Sequence, residues 1–182
     1  MPTFGVATAV FQGNRILLTK RNDFEVWCLP GGAIEDGETL VEAAARETRE
    51  ETGIEVQITR FVGMYTQLRT HETFHLLTFA GHPIGGNLDP DPKEVVDIGY
   101  FERDGLPTPM LFGHGQQIAD AWDGCVGTAY RYQVHIPPEC QISRNDLYAL
   151  RDRSGLSRQA FYLQMVQPIR LESDKRQIPP DP

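Results

Sequence analysis

GAIEDGETLVEAAARETREETGI, residues 32–54, sets Gly32, Glu38, Arg46, Glu47, Glu50, Glu51 and Gly53 at fixed intervals. The pattern predicts a helix. Thr39 can serve as N-cap, with Glu42 three places on as a capping box requires. Leu40, Val41, Ala44, Ala45 and Thr48 form a weakly apolar stripe at helical spacing. Gly53 can adopt the left-handed conformation that ends a helix. On such a helix Glu47 precedes Glu50 and Glu51 by three and four residues, which gathers three carboxylates on one side. Like charges so close cost stability unless a cation lies among them. Oxygen ligands suit hard divalent ions, Mg²⁺ first and Mn²⁺ second. The plainer alternative is a solvated acidic face, with Arg46 and Arg49 in surface ion pairs.

The seven residues resemble the box of the Nudix hydrolase family, G-x5-E-x7-R-E-U-x-E-E-x-G-U, where U is bulky and apolar. Chance would fill those seven places about once in a million sequences of ordinary composition, so the metal site is preferred to the solvated face. The departure is Thr48 at the first apolar position. The lead-in WCLPGG, residues 27–32, is also similar to the family. The resemblance is specific over residues 27–54, extends loosely over about 1–136, and does not reach the tail.

That resemblance implies an α/β fold, a Nudix-type α/β/α sandwich with a mixed sheet. It implies hydrolysis of a nucleoside diphosphate linked to another moiety, giving a nucleotide and a phosphorylated product or pyrophosphate. Glu47, Glu50 and Glu51 would hold the metal, with the Gly31 carbonyl as an added ligand and Glu38 behind them or acting through water. Glu51 or Glu94 would take a proton from water, with Glu72 and Glu102 as weaker rivals of Glu94. Arg46 would orient a glutamate by bidentate pairing. Arg21, Trp27, Tyr65 and Arg69 are candidates for contact with base or phosphate.

Composition agrees with such chemistry. A net charge of -8 argues against general binding to nucleic acid or membranes, whereas a bound cation still admits anionic substrates. No apolar run has the length of a transmembrane helix, and MPTFGVATAV lacks the basic flank of a signal peptide. Cys28, Cys125 and Cys140 show no C-x-x-C spacing. A reduced, cytoplasmic chain is expected.

Residues 4–11 and 14–20 read as a hairpin broken at Gln12-Gly13, and 21–26 as a loop. Residues 55–66, 70–81 and 95–101 read as strands, 113–123 as a helix and 126–136 as a last strand. The glycines at 85 and 86 are expected in a loop. Residues 1–140 then make the hydrolase domain. A helical extension, 141–182, follows: one capped helix from Ser143, a turn at residues 155–157, a second helix over 158–166, and a frayed end from 173.

Two further motifs compete. His71-Glu72-Thr73-Phe74-His75 matches the zinc peptidase pattern H-E-x-x-H. Its flanks favour a strand, on which residues four apart stand roughly 13 Å from each other, too far for one zinc. The tail segment ALRDRSGLSRQAF has helix-turn-helix spacing. Residues 143–182 carry seven Lys and Arg against five Asp and Glu, leaving -10 for the remainder. A DNA-reading or ligand-sensing regulator is the second reading, with packing on the domain, pocket covering or a homodimer as other uses of the helices. The favoured substrates are ADP-ribose-like compounds and nucleoside triphosphates.

Overall fold

A computed structural model describes residues 3–69, 73–167, 169–170 and 175–178. Strands β1 (Thr3–Gln12) and β2 (Arg15–Arg21) form the expected hairpin, with β3 (Trp27–Cys28) on the outer side of β2. Helix α1 (Leu40–Thr52) follows, then β4 (Ile54–Leu68), β5 (Thr73–Gly86) and β6 (Val95–Glu102). Helix α2 (His114–Trp122) precedes β7 (Thr128–His135). The sheet is mixed and runs β3-β2-β1-β5-β4-β7, with β6 also on β2. β1 lies parallel to β5, β4 parallel to β7, and the remaining pairs are antiparallel.

Alternation along the strands divides the core between two helices. Val6 and Val10 of β1, Leu17 of β2 and Phe79 of β5 face α1, where Ala43 and Ala44 are fully buried. Ala7 and Ala9, Ile16 and Leu18, and Leu76 and Ala80 face α2 through Ile118 and Ala121. Helices on both faces of a mixed sheet make the α/β/α sandwich that the sequence led us to expect.

Helix α1 is closed at both ends as read. The Thr39 hydroxyl accepts from the Glu42 amide (3.3 Å), and Glu42 returns the bond to the Thr39 amide (2.8 Å). Gly53 takes φ 75°. Thr48, the departure from an apolar position, is fully buried, and its hydroxyl donates to the Ala44 carbonyl one turn back (2.7 Å). That bond removes the cost of burying a hydroxyl.

Several boundaries differ from the sequence reading. β2 takes in Arg21, the first residue of the segment expected as a loop over 21–26, and the rest of that segment is a loop that ends at β3. β5 extends through Gly85 and Gly86, expected in a loop, because the start of β4 continues to pair with it. β7 is not the last strand. β8 (Ile169–Arg170) and β9 (Lys175–Ile178) both pair with it, so residues 175–178 are ordered in the sheet rather than frayed. Arg176 fastens that strand by bonding the buried Asp120 carboxylate and the Thr128 hydroxyl (3.1 Å). His71 and Glu72 of the H-E-x-x-H motif lie outside the described residues, whereas His75 sits on β5, stacked on Phe4.

The extension begins with α3 (Arg144–Arg153), capped by Ser143, and α4 (Arg158–Phe161), capped by Ser157. The second helix does not stay regular: residues 162–166 widen into a π-helical turn. These helices pack on the domain. Phe161 and Tyr162 are buried with Phe24 and Val26, and the Phe112 amide donates to the Tyr162 hydroxyl (2.8 Å). No helix among the described residues is long and apolar enough to cross a membrane.

A Cβ at Gly53 would overlap the Asn87 carbonyl, and the left-handed backbone would be strained as well. Gly53→Ala is therefore expected to lower unfolding free energy by more than about 1 kcal/mol in urea titration; an unchanged midpoint would show that the 87–89 loop yields freely.

Candidate active site

The acidic residues of α1 fall into two environments. Arg46, largely covered, grips the first group. Its Nε and Nη2 donate to the two oxygens of Glu38 (3.0 and 2.7 Å). Its Nη1 donates to Glu47 (2.9 Å) and Glu50 (3.0 Å), and Nη2 also reaches the Ala33 carbonyl (2.9 Å). The guanidinium fork thus ties residues 33–38 back across the helix. Glu47 is mostly covered, Glu50 more than half exposed.

Glu51 makes no bond to Arg46 among the described residues and is buried. Its one hydrogen bond among the described residues comes from the Gly31 amide (3.1 Å). Burial pushes its carboxyl up to about 8; the Gly31 bond and Arg21 oppose this, while Glu47 and Glu94 add to it. Glu47 is raised too, by burial first, against the pull of Arg46. A cluster whose buried members resist ionisation is short of positive charge.

The Gly31–Gly32 turn supports this arrangement. The carbonyls of Pro30 and Gly32 accept the β1 amides of Thr8 (2.9 Å) and Val6 (3.0 Å). The Gly31 carbonyl between them accepts no bond among the described residues. At Gly31, φ is 154° and a Cβ would overlap the Val6 carbonyl; at Gly32 a Cβ would fall on the Glu47 carboxylate. Only glycines let this loop lie between β1 and the acidic helix.

Both glycines open onto a cavity of about 1010 Å³. Arg21, Gln67, Arg69, Phe74 and His114 line it, with Arg144, Leu147 and Tyr162 from the extension. Arg21 is paired with Asp23 (Nε 2.9 Å, Nη2 2.5 Å), and Arg69 lies over the Phe74 ring. Two candidates leave the site. Trp27 is buried on the α2 side of the sheet, edge-on to Phe101. Tyr65 is buried with its hydroxyl donating to Asp120 (2.7 Å). Both lie on the sheet face that also lines the cavity, two positions from Leu29 and Gln67, but Trp27 is closed over by the α2-side core and Tyr65 by its bond to Asp120.

Glu94 immediately precedes β6, and its carbonyl accepts from the Asn22 amide (2.7 Å). Its charge is felt at both Glu47 and Glu51. Glu102 ends the same strand, roughly 25 Å away at the usual rise per residue, and is thereby removed from the cluster. Glu72 lies outside the described residues. No three acidic, His or Cys side chains among the described residues already converge on one metal-sized position, because Glu47 and Glu50 are turned to Arg46.

His114 was not singled out in the sequence, where it reads only as the first residue of a helix. It is buried, and its Nδ1 accepts from the Leu29 amide (3.1 Å), so the proton resides on Nε2. Burial, with Arg21 nearby, lowers its pKa to about 3 from 6.5. Between those values the unfolded chain binds a proton that the folded chain refuses, so stability falls as pH drops from about 6.5 towards 3. His114→Asn, which retains an acceptor near the Leu29 amide, should flatten that part of a denaturation-versus-pH curve; an unchanged slope would assign the acid sensitivity elsewhere.

The comparisons with known proteins agree with this geometry. The family model described as the NUDIX domain matches residues 1–121. An ADP-ribose pyrophosphatase of Methanocaldococcus jannaschii is 35% identical over 126 residues, 65% of this chain and 72% of the relative. An NAD-capped RNA hydrolase, NudC, of Vibrio atlanticus is 35% identical over 104 residues, 56% of this chain but 38% of its own length. The crystal structure of a MutT NUDIX hydrolase from Burkholderia pseudomallei superposes with a TM-score of 0.61 at 25% identity, covering 66% of this chain and 98% of that one. The domain match, the two-sided sandwich and the complete acidic box together place this chain in the Nudix hydrolase family.

Proposed function

We propose that this chain cleaves the diphosphate bond of a nucleoside diphosphate derivative in the cavity beside Gly31 and Gly32, with a divalent cation, Mg²⁺ or Mn²⁺, held by Glu47, Glu50 and Glu51. The observation that carries this reading is the buried, cation-poor Glu51 next to an unengaged Gly31 carbonyl at the wall of a cavity of about 1010 Å³. The donor set is all oxygen, which fits a hard cation. Glu50, being exposed, can turn from Arg46 by a change of rotamer, and the Gly31 carbonyl can complete the set. When bound, the ion would neutralise the diphosphate oxygens and make a water more acidic.

The chain's own groups have distinct parts. Arg46 holds Glu38, Glu47 and Glu50 in register. Glu38 acts through Arg46, since both its oxygens are occupied there. Glu51 or Glu94 receives the proton of the attacking water. Arg21 and Arg69 supply positive charge in the cavity for phosphate, and Phe74 offers an aromatic face for a base. The cavity lies at the upper end of the usual range for ligand sites, which favours a two-part compound such as an ADP-ribose-like sugar nucleotide. The name of the Methanocaldococcus jannaschii relative, an ADP-ribose pyrophosphatase, fits that class. A 34% identical Bacillus subtilis relative, named "Putative 8-oxo-dGTP diphosphatase", keeps nucleoside triphosphates among the candidates.

Of the arginines of α3 and α4 on which a DNA-reading tail would rest, Arg144 is exposed but two are committed to the domain. Arg151 is buried on the Asp23 carbonyl (2.7 Å), and Arg158 bonds Asn22, so neither is presented to a DNA backbone.

A panel of ADP-ribose, nucleoside triphosphates, dinucleoside polyphosphates and NAD-capped RNA, assayed with Mg²⁺ or Mn²⁺, tests the proposal. One compound is expected to be cleaved, and Glu51→Gln to slow its turnover by roughly 10²-fold or more with the fold intact; near-normal turnover would remove Glu51 from the mechanism. Mg²⁺ or Mn²⁺ alone should raise the melting temperature of the unaltered chain, since the cluster assembles only on folding. A flat response at saturating metal would overturn the ligand set.

A further inference from the structure

Besides the contacts of Tyr162 with Phe112 and Val26, the polar contacts of α3 and α4 with the hydrolase domain gather on one short loop, residues 22–24, between β2 and β3. Asn22 is its centre, and its polar groups divide cleanly. Its carbonyl accepts from Arg158 Nη1 (2.7 Å), and its Oδ1 accepts from the same nitrogen. Its donors point the opposite way. The backbone amide donates to the Glu94 carbonyl (2.7 Å), and Nδ2 donates to the carbonyls of Lys93 (3.0 Å) and Pro92 (3.4 Å). Asn22 thus receives from α4 and gives to the segment that carries Glu94.

Asp23 reinforces the junction. Its carbonyl accepts from Arg151 Nη1 (2.7 Å), and its carboxylate accepts from the Tyr148 hydroxyl (3.0 Å) while holding Arg21. Phe24 is buried against Tyr148, Phe161 and Tyr162. The loop is therefore gripped by the extension from one side, through side chains that the family match over residues 1–121 does not include.

On its C-terminal side the Glu94 segment runs directly into β6, where Val95 is buried and paired with Arg21 of β2. Its other bonds are local: Glu94 and Val95 amides to the Asp91 carbonyl (3.0 and 2.8 Å), and the Lys93 amide to the Asp91 carboxylate (2.9 Å). Among the described residues, every hydrogen bond from 92–94 to a distant part of the chain ends on Asn22.

We propose that Arg158 and Asn22 are positioning residues of the hydrolase, forming a clasp by which the C-terminal extension holds residues 92–94, and with them Glu94, against the carboxylate cluster. This rests on the part given to Glu94 above. A group that must meet a reacting water within hydrogen-bond distance loses effect when its backbone drifts by an ångström. The extension is then a component of the catalytic unit, not an appendage to it.

The test uses the full chain and separates the two halves of the clasp. Arg158→Ala removes the link to α4, and Arg158→Lys restores donors to the same two oxygens. Asn22→Asp keeps the oxygen facing Arg158 but replaces the amide donors to residues 92 and 93 with an acceptor. Amide hydrogen exchange reads the result without any substrate. Asn22→Asp is expected to accelerate exchange across 91–95 while 144–166 stays protected; Arg158→Ala should accelerate both, and Arg158→Lys neither. With the panel compound cleaved fastest, Asn22→Asp and Arg158→Ala should lower kcat about 10-fold or more with KM within about two-fold. In a Glu94→Gln background neither should lower it further.

Unchanged exchange over 91–95 in Asn22→Asp would overturn the clasp, as would effects that multiply with Glu94→Gln. Normal turnover in Asn22→Asp beside a slow Glu94→Gln would overturn the clasp alone. Normal turnover in Glu94→Gln would remove the part given to Glu94, and the clasp's purpose with it.

Discussion

The guanidinium of Arg46 is the interaction on which the site depends. One helix places Glu47 and Glu50 on neighbouring turns, and the preceding loop brings Glu38 to the same side. Without a cation among them these carboxylates would push the loop off the helix. Arg46 makes five bonds within that group, to three carboxylates and the Ala33 carbonyl. A lysine could not do this, because a single ammonium has no planar fork with which to meet one carboxylate at two points while serving two others.

Glu51 escapes this arrangement, and the difference is chemically useful. It is one turn further along α1, turned inward and served by a single backbone amide. A buried carboxylate so poorly compensated holds its proton towards neutral pH. The helix therefore presents Glu47 and Glu50, which share one arginine with Glu38, beside a buried Glu51 that has no ion pair of its own among the described residues. The Gly31–Gly32 turn keeps that place open, since any side chain there would meet β1 or Glu47.

The extension changes how the cavity is built. Most of its wall is the family sandwich; the extension adds Arg144 and Leu147 of α3 and Tyr162 and Val166 after α4, anchored on Phe24 and on the backbone of residues 22 and 23. The same loop that receives the extension also carries Arg21 into the cavity through its pairing with Asp23. Cavity-lining Arg21, the Glu94 segment and the C-terminal helices are thus joined through three consecutive residues.

The acidic box, its caps and the hairpin at Gln12-Gly13 were legible because each is local: spacing along a helix and the conformational freedom of glycine are properties of a few consecutive residues. The roles of Trp27 and Tyr65 were not, because both are aromatic residues on strands and only the packed structure decides which position along a strand lines the cavity and which is closed over in the core. His114 and Asn22 carried no signal at all. One is a helix's first residue and the other a loop asparagine, and each matters through partners 85 and 136 positions away. By itself the sequence determined the helix, its carboxylates and the family to which they belong. Tertiary structure alone decided which carboxylate would be buried without a cation, which side chains would line the cavity, and how the tail would reach the site, since burial and long-range pairing exist only once the strands have closed into a sheet.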